Sequence, residues 1–216
     1  MTRREERAAV AAVAAVAAVA WLALLRLPAL PMEGVAAPAG FLGGWTVMMA
    51  AMMLPSAAPL VRLYAATAAR TTPALIAGYL LVWAAVGVPA YVADVAFGPS
   101  ATIAGAVLVA AGVYQLSPLK HACLSRCRTP LGFMVARWRR GTGGALRLGA
   151  EHGAYCVGCC WGLMAVLVVA GSMGLAWAAL IATSVAAEKL LPWGATWARV
   201  SGAALAAGGV AVWVVG

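Results

Sequence analysis

Three cysteines and one histidine lie close together in an otherwise apolar segment of this 216-residue chain. Cys156, Cys159 and Cys160 follow His152, and on a helix at about 100° per residue the four side chains occupy roughly 100° of arc. Thiolates, with imidazole as a compatible partner, are the ligands that Cu(I) and other soft ions prefer. The alternative is that the cysteines pack helices together as small apolar residues. We expect a metal site, with copper favoured and zinc or another soft metal also possible.

A second set of candidate ligands, His121, Cys123 and Cys127, precedes this segment. If the helix of the fourth span continues through them, Cys123 and Cys127 lie one turn apart and could chelate an ion, while His121 points elsewhere. In a loop, His121 could join them. The alternative is a cytosolic loop with two reduced thiols beside arginines, which activate a thiol without making it a ligand.

Methionines form a third set of candidate ligands near the start of the chain. On a helix Met48, Met49 and Met52 share roughly 100° of arc with Trp45. Thioethers are soft donors that suit Cu(I) and need no deprotonation. Methionine is also a flexible filler of apolar cores, and the pattern fits that role equally well.

The composition indicates a membrane protein. The chain is 65% hydrophobic and 10% charged, and apolar runs long enough for a hydrocarbon core of ~30 Å recur along it. Backbone polar groups must be paired in lipid, and the runs lack the alternation of a barrel, so they should be helices. We predict an all-α, polytopic membrane helix bundle with about seven transmembrane helices, at residues 8–25, 41–61, 74–97, 101–118, 148–170, 174–187 and 198–215.

The basic residues orient this bundle. With a cytoplasmic N-terminus, seven crossings place every lysine and arginine except Arg26 on the cytoplasmic side, as the positive-inside rule requires. The formal net charge of +9 is therefore explained by topology and by contact with the anionic lipid bilayer, and no nucleic acid is expected as a partner. An odd count of five cysteines argues against a disulfide scaffold. These features predict a multi-pass protein of a cytoplasmic membrane.

We predict a single membrane domain over residues 1–216. Residues 1–40 would form an N-terminal anchor helix and an outer loop, and an anchor is favoured over a secretory signal because the apolar run is long enough to span. Residues 119–147 would form a cytoplasmic loop that contains an interfacial helix. Glu188 and Lys189 are expected to form an ion pair at the cytoplasmic boundary, where long side chains can reach water.

Several of these motifs together resemble a known family over residues 41–200. They are Trp45 with Met48-Met49-Ala50-Ala51-Met52-Met53-Leu54-Pro55, then Tyr114-Gln115-Leu116-Ser117-Pro118-Leu119-Lys120 with Cys123, Cys127 and Pro130, then Cys156-Val157-Gly158-Cys159-Cys160-Trp161, and finally Glu188-Lys189. The combination resembles the DUF2182 family, whose members are catalogued as predicted metal-binding integral membrane proteins of bacteria. The resemblance implies several spans of the bacterial cytoplasmic (inner) membrane and a metal site built from the cysteine motifs. It implies no substrate or reaction.

The expected function is metal handling, or service as an accessory subunit of a membrane metalloenzyme within a larger complex. Cys156, Cys159 and Cys160 would be the primary ligands, with Cys123 and Cys127 as secondary ligands and His152 or Met52 completing the set. A membrane thiol–disulfide redox protein and a structural subunit of a membrane complex are the alternatives. Because the chain has no phosphate-binding loop, haem attachment motif or nucleophile elbow, we assign no catalytic residue.

Overall fold

The computed structural model describes residues 3–26, 37–98, 100–171 and 174–215. Within these ranges the chain is helical almost throughout and contains no strand, which confirms the all-α prediction. The helices are α1 (Arg3–Arg26), α2 (Ala37–Ala68), α3 (Thr72–Phe97), α4 (Ala101–Leu116), α5 (Pro118–Arg128), α6 (Pro130–Arg137), α7 (Gly141–Val169), α8 (Leu175–Leu190) and α9 (Gly194–Val215). Most of the predicted outer loop, residues 27–36, lies outside the described residues.

Four helical stretches of the described chain are long and apolar enough to cross a membrane. They are Glu6–Arg26, Ala37–Phe97, Gly141–Val169 and Gly194–Val215. The pair α4 and α5 would make a fifth if its two helices, bent by 64°, count as one span. Helix α8 has 16 residues, about 24 Å at ~1.5 Å per residue, and is shorter than the hydrocarbon core of ~30 Å. The prediction of seven spans is therefore not confirmed.

The longest of these stretches folds back on itself. Trp45 Nε1 of α2 donates to the carbonyl of Trp83 on α3 at 2.9 Å, and Tyr79 OH lies 3.2 Å from the carbonyl of Met53. The residue number on α3 falls as the number on α2 rises, so the two helices are antiparallel. A short 3₁₀ turn, Ala69–Thr71, joins them. If this stretch crosses the membrane, it does so twice.

Helix α7 lies at the centre of the bundle and packs against α3, α4, α5 and α8. Glycines allow its backbone to touch that of α3: a Cβ at Gly149 would overlap the carbonyl of Leu75, and a Cβ at Gly78 would overlap that of Leu146. Small residues at such crossings are typical of closely packed membrane helices. This contact fixes the depth and rotation of α7 against α3.

The predicted cytoplasmic loop 119–147 is mostly helical, because α5, α6 and the beginning of α7 occupy it. Helix α5 starts after a sharp bend at Ser117, whose side chain accepts the Lys120 amide at 3.2 Å, with a proline at the first helical position. The predicted short helix near residue 131 is present as α6. The candidate ligands of this region therefore lie on a helix, but on the separate helix α5, because α4 ends at Leu116 and the chain bends by 64° before α5 begins.

Glu188 and Lys189 do not form the predicted boundary pair. Glu188 Oε2 lies 2.6 Å from Lys120 Nζ, and both side chains are 0% exposed. Gln115 Nε2 donates to the other carboxylate oxygen at 2.7 Å. Adjacent residues on a helix point about 100° apart, so Glu188 and Lys189 enter different surroundings. Glu188 of α8 instead forms a buried ion pair with Lys120 of α5, and Lys189 belongs to the site described below.

Candidate metal centre

Three thiols on one face of α7 form the centre of the candidate site. The side chains of Cys156, Cys159 and Cys160 are at most 1% exposed, and their sulfur atoms lie within 4.8 Å of one another. Metal–thiolate bonds of about 2.3 Å allow two ligating sulfurs to be up to about 4.6 Å apart, so small side-chain adjustments would let one ion reach all three. Cys159 and Cys160 donate their S–H groups to the carbonyl of Cys156, at 3.1 and 2.8 Å.

Helix α5 brings both of its cysteines to the same face of α7. Cys127 is buried, and its sulfur lies 3.9 Å from that of Cys159. Cys123 is half-buried and packs against Gly158, where a Cβ would lie 2.8 Å from the Cys123 sulfur. All five cysteines are free thiols. The structure thus extends the three-thiol group by a fourth sulfur from a second helix, with a fifth nearby.

Lys189 of α8 reaches into the cluster. Its Nζ donates to Cys156 Sγ at 2.7 Å and to Ser56 Oγ of α2 at 3.2 Å. Tyr79 OH of α3 lies 3.0 Å from the same sulfur. Helices α2, α3, α7 and α8 therefore converge on Cys156, which accounts for its complete burial.

A buried ammonium next to sulfur has a direct electrostatic consequence. Removing an ammonium group from water costs several kcal/mol, so a buried one requires a counter-charge. The Cys156 sulfur is close enough to supply it as a thiolate, which is also the form that binds metal. Lys189 thus places a fixed positive charge at the edge of a group of potential thiolates.

His152 lies one helical turn before Cys156, outside the three-thiol group. It is buried between the rings of Tyr79 and Phe133, with ring centroids at 5.9 and 5.3 Å. Its Nδ1 has no hydrogen-bond partner among the described residues. A buried polar atom without a partner is costly, and an imidazole nitrogen is a donor for soft ions, so His152 is available as an additional ligand.

The other predicted ligands lie on α2 and α5. Met48, Met49 and Met52 are buried on α2 in the same hydrophobic core as the three thiols. Met52 is one turn before Ser56 and shares its helix face, which is turned towards Lys189. His121 is half-buried on α5, two residues from Cys123 and therefore on the opposite side of the helix. The structure brings the cysteines together and leaves His121 outside the group.

A comparison with known families decides the class of protein. Residues 42–212 match the family described as copper chaperone (PpoB2). The chain belongs to this copper chaperone family. No curated protein and no solved structure matched the chain.

For a copper chaperone, the thiol-rich set is chemically suitable, because thiolates and thioethers are the donors that select Cu(I). The sequence patterns pointed to the cysteines of the cluster but not to the positions of Lys189 and Tyr79 beside them. The sequence did carry a signal for Lys189, which follows a glutamate in an apolar helix. Because adjacent residues on a helix point about 100° apart, this lysine must find a partner other than that carboxylate. Tyr79 carried no signal, because its role depends on how α3 packs against α7.

The cysteine turn also borders a cavity of about 600 Å³. Trp45, Trp83 and Met164 line it, together with Val157 and Trp161 from the turn that carries the thiols. Its walls are mainly apolar. The cavity therefore lies within one helical turn of the candidate cysteine ligands.

Proposed function

We propose that this protein is a membrane copper chaperone that holds Cu(I) inside its helix bundle and delivers it to a protein partner. Cys156, Cys159 and Cys160 would be the primary ligands, with Cys127 as a fourth. The observation that carries this proposal is the grouping of three buried sulfurs within 4.8 Å of one another, with the Cys127 sulfur 3.9 Å from Cys159. Membership of the copper chaperone family supports the choice of ion.

Charge balance favours a monovalent ion if two of the cysteines bind as thiolates and the third remains a neutral thiol, whereas three thiolates and the Lys189 ammonium would balance a divalent ion. Two thiolates, one Cu(I) ion and the Lys189 ammonium together carry no net charge, which is the cheapest composition in an apolar core. A divalent ion bound by the same two thiolates would leave one positive charge uncompensated. Lys189 would therefore favour Cu(I) over Zn²⁺ when two thiolates bind.

The membrane placement is part of the proposal and rests on surface chemistry. Large apolar side chains such as Val88, Val92 and Val95 of α3 and Val210 and Val214 of α9 are exposed. Such surfaces suit lipid rather than water. With the basic residues on the cytoplasmic side, the protein would be a multi-pass member of the bacterial cytoplasmic membrane, consistent with its resemblance to DUF2182. A chaperone needs a recipient, and we propose a membrane metalloenzyme that it serves as an accessory.

The proposal is tested by metal analysis of the protein purified in detergent under reducing conditions and loaded with Cu(I). Mass spectrometry of the metal content should give about one or more copper ions per chain. The variant Cys156→Ser/Cys159→Ser/Cys160→Ser should lose them, whereas Met48→Leu/Met49→Leu/Met52→Leu should keep most. Circular dichroism checks that both variants remain helical. Retention of copper by the folded triple-serine variant would refute the ligand assignment.

One distance also supports a second candidate function, a thiol–disulfide redox protein. Cys127 and Cys159 lie on different helices with their sulfurs 3.9 Å apart, and a modest movement would bring them to the ~2.05 Å of a disulfide bond. Thiol alkylation followed by mass spectrometry separates the two functions. A redox pair loses two reactive thiols on oxidation and regains them on reduction, whereas a metal site protects its thiols until a copper chelator is added.

A further inference from the structure

The thiols of α5 and α7 form a series of increasing burial. Cys123 is half-buried on α5, Cys127 is buried one turn later, and Cys159 on α7 is completely buried. Cys123 and Cys127 share one face of α5, where residues four apart have Cβ atoms about 5–6 Å from each other. The Cys127 sulfur then lies 3.9 Å from Cys159. Successive sulfurs therefore lead from the protein surface to the three-thiol group.

The exposed side of α5 is apolar before Cys123, where Leu119 is exposed, and polar after it, where Ser125 and Arg126 are exposed. Arg126 lies over the ring of Tyr155 at 5.9 Å. The polar second half of the helix gives the first thiol a hydrophilic approach. The other thiols of the series are covered by packed helices. A hydrophilic copper donor could approach Cys123 without entering the apolar core.

Both ends of α5 are fastened to α8, so the position of its cysteines is fixed. At the start of the helix, Lys120 makes the buried ion pair with Glu188 at 2.6 Å. At its end, Arg128 donates to the carbonyl of Glu188 and to that of Pro192, the latter at 3.2 Å. Cys123 and Cys127 lie between these two attachments and face α7. The spacing of the sulfur series is therefore set by tertiary contacts as well as by the helix.

We propose that α5 is the route by which copper enters and leaves the site. Cys123 would accept Cu(I) from a thiol-bearing copper donor at the protein surface, and Cys127 would pass the ion to Cys159. This inference rests on the proposed function and assigns separate roles to the two cysteine sets: exchange on α5 and storage on α7.

Each transfer is an exchange of ligands on Cu(I). A bond forms between copper and the incoming sulfur, and the bond to the outgoing sulfur breaks. The incoming thiol gives up its proton, and the outgoing thiolate takes up a proton, so charge is conserved and copper remains Cu(I). With metal–sulfur bonds of about 2.3 Å, an ion can bridge two sulfurs about 4.6 Å apart during the exchange. The 3.9 Å between Cys127 and Cys159 is within this reach.

Stopped-flow kinetics test the route. The detergent-purified full chain is loaded from Cu(I)–glutathione, and the bound ion is then removed with bathocuproine disulfonate, which reports Cu(I) by its absorbance. Cys123→Ser should bind the parental amount of copper at equilibrium but load and unload about tenfold more slowly or worse, as expected when a barrier rises by ~1.4 kcal/mol. Ser125→Ala, on the exposed side of the same helix, is the matched control and should exchange at the parental rate.

Two results would overturn the inference. Parental exchange rates in Cys123→Ser would show that copper takes another route, and loss of bound copper in this variant would make Cys123 a storage ligand. If Cys123→Ser does not fold, alkylation of Cys123 in the native apo-protein replaces it: the modified protein should load slowly, and rapid loading would overturn the route. Absence of copper from the parent protein would instead refute the proposed function, and the route with it.

Discussion

Replacing Lys189 with methionine isolates the contribution of its charge to copper binding. Methionine has a similar length and suits an apolar core, so Lys189→Met removes the ammonium with little change in packing. In the apo-protein, Cys156 can take up a proton once the ammonium is gone, so no buried charge is left without a partner. In the copper-bound protein, the same change leaves a negatively charged copper–thiolate group uncompensated. We therefore expect weaker copper binding without loss of apo-protein stability.

The magnitude follows from the 2.7 Å between Lys189 Nζ and Cys156 Sγ. At an effective dielectric constant of about 20, two unit charges at this distance attract by ~6 kcal/mol. Burial of the ammonium offsets part of this attraction, and removal of one partner from a buried pair costs about 3–5 kcal/mol. At ~1.4 kcal/mol per factor of ten, the Kd for Cu(I) should rise by roughly 100-fold to several thousand-fold.

Competition with a Cu(I) chelator measures these affinities, and thermal unfolding in detergent measures the stability of the apo-proteins. Ser56→Ala is the graded control, because it removes one hydrogen-bond acceptor of Lys189 and leaves the charge in place. Its effect should be about 1 kcal/mol, or roughly fivefold in Kd. A Kd for Lys189→Met within threefold of the parent value would refute the reasoning that the ammonium balances the copper–thiolate charge.

The remaining predictions concern α5, its anchoring and proton release. Gly158→Ala should displace the Cys123 sulfur, which lies 2.8 Å from the new Cβ, and so change the rate at which maleimide labels the Cys123 thiol. As the control, Gly143→Ala places its Cβ where no atom lies within 4 Å and should leave that rate unchanged. Glu188→Gln leaves Lys120 buried without its carboxylate partner and should lower the free energy of unfolding by about 3–5 kcal/mol, as measured by thermal unfolding. Adding Lys120→Met removes the unpaired charge and should restore most of this stability. A parental melting temperature in the single variant would contradict the prediction. Because thiols must be deprotonated to bind metal, Cu(I) loading should release protons, detectable with a pH indicator in weak buffer, and affinity should fall as the pH falls; a pH-independent affinity would point to thioether ligands instead.

Relationships within one helix were predictable from the sequence. The spacing of Cys156, Cys159 and Cys160 placed three sulfurs on one face of α7, because the helical period fixes directions at that range. The helices themselves follow from apolar runs whose backbone groups need internal partners. The same reasoning predicted seven spans, a number that is not confirmed because α8 is short and α4 meets α5 at a bend of 64°.

Relationships between helices required the tertiary structure. Cys127 reaches Cys159 because α5 turns sharply after α4 and then packs along α7, and Tyr79 reaches Cys156 because glycines let α3 and α7 touch. Lys189 and Glu188 are neighbours in sequence but enter separate buried networks. The amino-acid sequence by itself thus determined the helices, the soft donor side chains and the grouping of three thiols on one face. The tertiary structure decided which charge and which fourth sulfur join them, because bends and close helix crossings between segments far apart in sequence set those distances.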